Sequence, residues 1–260
     1  MASLQIPVVS ADVFVRPSVL QATWLIARRA AVESLRDRMT VGISVIWALV
    51  VPFALVLLVI LPQSSQDGAN AGGGFGGVVA VYLLVVGLMP ASGAIGIASG
   101  LFAGEKEQGS LLPLLATPVS NQSIFAGKVL GAVLPALLYA GVAEVSYLTE
   151  IGLLVGMPTL RQLPLVLAFA MLALVPADAV LGAVVASLVS SRVRTYQSAQ
   201  MLTSLALVPI MGALFGLAIQ MQRWGPWGLV IVVAVLVALD VLLVVVSAAT
   251  WRREEVMAHR

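Results

Sequence analysis

Long apolar runs separated by short polar breaks make up most of the chain. Six of them qualify as membrane-crossing segments: 41–61, 78–102, 129–155, 164–188, 198–221 and 227–250. A helix needs about 20 mostly apolar residues to cross the hydrocarbon of a bilayer. Run length and the lack of strict apolar–polar alternation predict helices, not barrel strands. The fifth and sixth runs are divided only by Gln222-Arg223-Trp224-Gly225-Pro226. Pro52, Pro90, Pro135, Pro176 and Pro209 fall inside spans, where proline is tolerated and identifies no site.

Residues 18–38 follow a different rhythm. Leu20, Trp24, Ala27, Ala31 and Leu35 recur at three- and four-residue steps, while Arg28, Arg29, Glu33, Arg36 and Asp37 fall largely elsewhere. That pattern predicts an amphipathic helix on the inner membrane surface, with Trp24 and the arginines at headgroup depth. A cytoplasmic helix packed on a partner protein is the alternative. The expected fold class is therefore an all-α integral membrane protein: one transmembrane domain over 1–260, with six spans behind an interfacial helix.

Composition leads to the same solvent. The chain is 60% hydrophobic and 10% charged, against about half and a quarter in soluble domains. A net charge of +2, with no basic cluster interleaved with aromatics, gives no reason to expect nucleic acid. No cysteine is present, which excludes disulfides and thiolate metal sites. The one histidine, His259, sits beside the last residue and is assigned no role. No metal site is expected. The first forty residues lack the short apolar core and cleavage site of a signal peptide, so the first span is expected to direct insertion itself.

Basic residues set the orientation. With the N-terminus inside, Arg16, Arg28, Arg29, Arg36, Arg38, Lys106, Lys128, Arg192, Arg194, Arg252, Arg253 and Arg260 face the cytoplasm, and only Arg161 and Arg223 face out. Six spans then return the C-terminus to the cytoplasm. The external segment Gln63–Gly77 is short, polar and glycine-rich, as in a mobile linker. Gly96, Gly100 and Gly104, and again Gly212 and Gly216, repeat every fourth residue and are expected to let helices approach closely.

The stretch between the second and third spans is the most informative. It reads Gly104-Glu105-Lys106-Glu107-Gln108-Gly109-Ser110-Leu111-Leu112-Pro113-Leu114-Leu115-Ala116-Thr117-Pro118-Val119-Ser120, and runs on to Gly127-Lys128. The charge rule makes it cytoplasmic, yet four leucines between 111 and 115 are too apolar for a free loop. A short helix with exposed leucines suits a groove on another protein. Thr117-Pro118 ends it, and Ser120 or Asn121 can cap the helix that follows.

This segment resembles the signature of type-2 ABC exporter permeases: acidic–x–acidic, Gly-Ser-Leu, Leu-Leu-x-Thr-Pro-Val-Ser, and a Gly-Lys opening the third span. Its wording is closest to the branch that includes bacterial sodium-extrusion permeases. The motif spans about a tenth of the chain, and Pro113 departs from it by replacing a helix former. The resemblance implies an interfacial elbow helix, six spans and a cytoplasmic coupling helix, here within 104–120. It also implies a pairing with a second permease copy, the same or related, and a pair of cytoplasmic ABC ATPase subunits in a bacterial or archaeal plasma membrane. Glu105, Glu107, Gly109, Leu111, Leu112, Leu115, Thr117 and Pro118 would make the ATPase contact. No G-x-x-x-x-G-K-[ST] loop is present, so ATP and Mg are expected on the partner and no cofactor on this chain. No catalytic residue is expected.

Four carboxylates lie within the predicted spans: Glu144, Glu150, Asp178 and Asp240. An acid at a helix centre costs about 2.5–3.5 kcal/mol on insertion scales. Glu144 and Asp240 are expected near mid-membrane, Asp178 in the inner half and Glu150 near the outer end. Glu144, Tyr147 and Glu150 recur at steps of three, with Ser146 and Thr149 adding oxygens. The set is a candidate path for sodium, another cation, or a cationic drug or lipid, and hydrogen bonding to neighbouring helices is the structural alternative. A stand-alone ion-coupled transporter or channel would use the same acids, but the leucine segment has no place in it. An intramembrane protease is disfavoured, because no span contains a histidine and nothing around Asp178 or Asp240 supports an aspartyl pair.

Overall fold

A computed structural model describes residues 18–67, 75–109, 119–193, 195–221 and 226–250. Among these the secondary structure is entirely helical: α1 (Val19–Arg36), α2 (Arg38–Leu55), α3 (Leu61–Asp67), α4 (Phe75–Ala91), α5 (Gly93–Ser99), α6 (Glu105–Glu107), α7 (Asn121–Glu150), α8 (Met157–Arg161), α9 (Leu165–Arg192), α10 (Tyr196–Met221) and α11 (Pro226–Thr250). Three π-helical turns, Val56–Ile60, Gly100–Gly104 and Ile151–Val155, join or extend these into longer rods.

Five helices among the described residues are long and apolar enough to cross a membrane: Arg38–Ser64, Phe75–Glu107, Asn121–Val155, Ala168–Arg192 and Val230–Ala249. They fall on five of the six expected spans. The sixth, expected at 198–221, falls on α10, whose outer half lies largely outside the described side chains. The chain is an all-α integral membrane protein. Large apolar side chains such as Phe53, Leu58, Val241 and Val245 are exposed on the span surfaces, as a hydrocarbon solvent requires.

Local chemistry places the helix ends. Ser18 caps α1 in a reciprocal box: its Oγ accepts from the Gln21 amide at 3.3 Å, and Gln21 Oε1 accepts from the Ser18 amide at 3.2 Å. Asp37 adopts an extended conformation between α1 and α2, and its carboxylate accepts from the Met39 and Thr40 amides, so one residue turns the chain from the elbow helix into the first span. The Thr40 hydroxyl and amide hold the Asp37 carboxyl below the usual carboxylate range. Ser120 caps α7, accepting from the Ser123 amide at 3.1 Å. The third span therefore starts at 121, two turns before its expected start at 129, because the capped helix projects beyond the apolar run. Its outer end closes at Gly156, whose φ of 116° is open to glycine and strained for other residues.

The helix α7 is the hub. It touches α1, α2, α4, α5, α9 and α11. Its N-terminal half joins α5 and α9 in a cluster around Phe102, Phe125, Ala132 and Ala183. Its C-terminal half, through Tyr147 and with Ile151 of the π-turn that follows, packs on Val56, Ile60, Val79 and Leu83. A third cluster, including Leu181, Leu207 and Leu236, ties α9 to α10 and α11.

Candidate functional site

The two stems of the segment between the second and third spans are braced against each other. Between α5 and α6 the helix widens into the π-turn Gly100–Gly104. There the Glu105 amide bonds the Gly100 and Phe102 carbonyls. The intervening Leu101 carbonyl accepts from the Lys128 ammonium. Lys128, about two turns into α7, is 1% exposed and also pairs with Glu105 Oε2 at 2.6 Å. Its ammonium stands 5.1 Å from the centre of the Phe102 ring. A buried ammonium costs several kcal/mol unless paired and hydrogen-bonded. Here a carboxylate, a carbonyl and a ring face supply that compensation together.

The neighbouring charges hold the fourth-to-fifth span connection. Glu107 Oε2 accepts from the Tyr196 amide at 3.1 Å, at the first residue of α10. Lys106 Nζ reaches the Val193 carbonyl at 3.5 Å. Gly109 follows with φ 71°, a left-handed turn that starts the loop. The remaining expected coupling residues, Leu111, Leu112, Leu115, Thr117 and Pro118, lie outside the described residues.

Beside this brace a recess of about 490 Å³ opens between α1, the start of α2, the second span and Tyr196. Glu33, Asp37 and Glu105 make its lining acidic, and Gly96 and Gly100 line its wall. A methyl group at Gly96 would stand in ordinary contact, 3.5 Å from the Tyr196 hydroxyl and Gln200 Nε2, and one at Gly100 would stand 3.9 Å from Tyr196 Cε2. Among the described residues, one at Gly104 or Gly212 would meet nothing within 4 Å. Gly216 lies outside the described side chains. Closer approaches occur on α7: a Cβ on Gly131 would fall 2.5 Å from Ala30 Cβ, and one on Gly127 would fall 2.8 Å from Ile26 Cβ.

The membrane acids divide into two places. Glu144 presses on the second span: a Cβ on Gly87 would lie 2.5 Å from Glu144 Oε1 and 2.6 Å from Val175 Cγ2. Among the described residues Glu144 Oε1 has no hydrogen-bond partner. Tyr147 turns its hydroxyl to the Val79 carbonyl at 3.0 Å, and Ser146 donates to Glu150 Oε1 at 2.8 Å. Thr149 donates to the Val145 carbonyl of its own helix and is exposed. Asp178 is the fourteenth of the 28 residues of α9. It lies within electrostatic reach of Asp240 on α11.

A family model described as ABC-2 family transporter protein matches residues 24–229. The chain belongs to the ABC-2 transporter family. No curated protein matches it. The matched range takes in the elbow helix from Trp24, the braced stems and three of the four membrane acids, Glu144, Glu150 and Asp178. Two features of this ABC-2 permease were missed in sequence reading. Lys128 was read only as an interfacial charge opening the third span, because its partners lie 23 and 27 residues away. Gly127 and Gly131 form a four-residue small repeat that was visible in the sequence and points straight at the elbow helix.

Proposed function

We propose that this chain is the membrane subunit of an ATP-driven exporter, moving a cation or a cationic amphiphile outward with energy from a separate ATPase chain. One observation carries the reading: a leucine-rich cytoplasmic segment leaves the membrane on two stems that Lys128 and Glu105 lock together. Force applied to such a segment reaches the second and third spans as a unit. Through Glu107 and Lys106 it also reaches the connection that starts α10.

In this reading Leu111, Leu112 and Leu115 fill a groove on the ATPase, with Gly109, Thr117 and Pro118 bounding the docking helix. Glu105 and Glu107 serve mainly to seat it. ABC-2 permeases generally work with ABC ATPase subunits, and the assembly proposed is a pair of permeases on a pair of ATPases, with both permease termini cytoplasmic. ATP and Mg bind the partner. The acidic recess lined by Glu33, Asp37 and Glu105 favours a positively charged cargo taken from the cytoplasmic side.

Co-purification tests the partnership. The wild-type chain, isolated from its native membrane, is expected to retain an ABC ATPase subunit, and Leu112→Asp or Leu115→Asp to release it. Outward transport by the reconstituted chain with no ATPase present would refute the proposal and favour a stand-alone ion-coupled carrier, to which the unpartnered Glu144 and Asp240 oxygens would then belong.

A further inference from the structure

Halfway along α9 and α11 a groove of about 390 Å³ opens on the surface of the chain. Its walls are Ala173, Pro176, Val180, Val237, Val241 and Val244, and its single charged side chain is Asp240. Asp240 is 6% exposed, and among the described residues its Oδ1 has no hydrogen-bond partner. It is the fifteenth of the 25 residues of α11, so the groove lies at mid-membrane depth. A carboxyl oxygen held there without a partner is costly, and such groups usually serve a ligand or a relay.

The wall chemistry selects the ligand. A bare metal ion needs several oxygen ligands, and these walls offer alkyl groups. Among the described residues no three His, Cys, Asp or Glu side chains converge on a common point. An organic cation answers both halves of the groove, its apolar body replacing lipid against the valines and its charge meeting the carboxylate.

We propose that the α9–α11 groove binds a monovalent cation carried on an apolar body, with Asp240 as its counter-charge. The inference deepens the exporter reading and rests on it for the direction of movement, while the binding itself needs neither ATP nor an ATPase.

The test is equilibrium binding of radiolabelled tetraphenylphosphonium to the full chain in phosphatidylcholine nanodiscs, with empty nanodiscs subtracted. Saturable binding is expected, displaced poorly by uncharged triphenylphosphine oxide. Asp240→Asn and the groove-filling Val241→Trp are expected to weaken it by about tenfold or more, and Asp240→Glu to keep most of it. Equal displacement by the neutral compound would mean that the groove holds acyl chains and would overturn the proposal, whether or not any variant folds. Unchanged affinity in a folded Asp240→Asn would overturn it too. So would a Val245→Cys crosslink between copies that the cation fails to inhibit, since a second subunit would then fill the groove. Binding lost while the chain still holds its ATPase sinks this site alone. Binding kept with no ATPase association supports the site and sinks the exporter reading.

Discussion

Lys128 is the residue on which the cytoplasmic side turns. Removing one partner of a buried pair leaves the other charge uncompensated, at about 3–5 kcal/mol for wholly buried groups. Glu105 is 28% exposed, so Lys128→Met should fall near the lower end, about 3 kcal/mol. A clearly lowered thermal midpoint in detergent is expected, and Glu105→Leu on that background should recover part of it, because an apolar pair can replace a buried ion pair. A double-mutant cycle giving no coupling would remove the brace from the argument. Asp37 makes a second prediction at this scale. Its carboxyl titrates lower in the fold than in the unfolded chain, owing to Thr40. The cap is therefore complete above about pH 4 and is lost as pH falls through the folded value. Amide exchange over residues 38–41 should rise in acid relative to pH 7 once corrected for intrinsic rates, and Asp37→Asn should flatten that dependence. Sequence reading reached Glu105 and Glu107 as a pair flanking an apolar knob. It could not reach their partners, because Tyr196 lies 89 residues away from Glu107 and only tertiary packing brings them together.

Among elements, the elbow helix shows how two apolar faces share one segment. Its expected apolar stripe joined alanines to larger side chains, and the structure separates them. Ala27, Ala30 and Ala31 are buried toward α7, whereas Leu20, Trp24 and Leu35 are exposed. Small residues make the helix contact because lipid tails compete equally for large ones, leaving close packing as the advantage. The outward Leu20 and Trp24 suit the interfacial placement read from the sequence. The contact predicts a sharp difference between glycines. Gly131→Val would drive its side chain into Ala30 and should cost about 1–3 kcal/mol, freeing α1 to protease while Gly104→Ala leaves it protected. Equal protease resistance in both variants would contradict the packing. Helix existence was legible because apolar runs of this length admit little else. The π-turn at Gly100–Gly104 was not, since it is a choice of hydrogen-bond register, and its use becomes visible only when Lys128 occupies the Leu101 carbonyl.

For the whole molecule, topology is the property on which every functional statement depends. The leucine segment can meet an ATPase only if it is cytoplasmic, and the external side must then carry α8 and the Gly156 turn. Charge counting supports this with twelve basic residues inside against two outside, but it reads flanks and not the membrane itself. The chain offers a direct check, because it has no cysteine and any introduced one is the sole reporter. Arg161→Cys, exposed at the end of α8, should react with a membrane-impermeant maleimide added to intact cells. Arg192→Cys, at the opposite end of α9, should react only after the membrane is opened. The two residues bracket one continuous 28-residue helix, about 42 Å long at 1.5 Å per residue and long enough to cross the bilayer. Opposite labelling is therefore required of any correct orientation, and its sign decides which. Labelling reversed between the two sites would put the leucine segment outside, where no ATPase can reach it, and would remove the coupling role while leaving the helix packing intact.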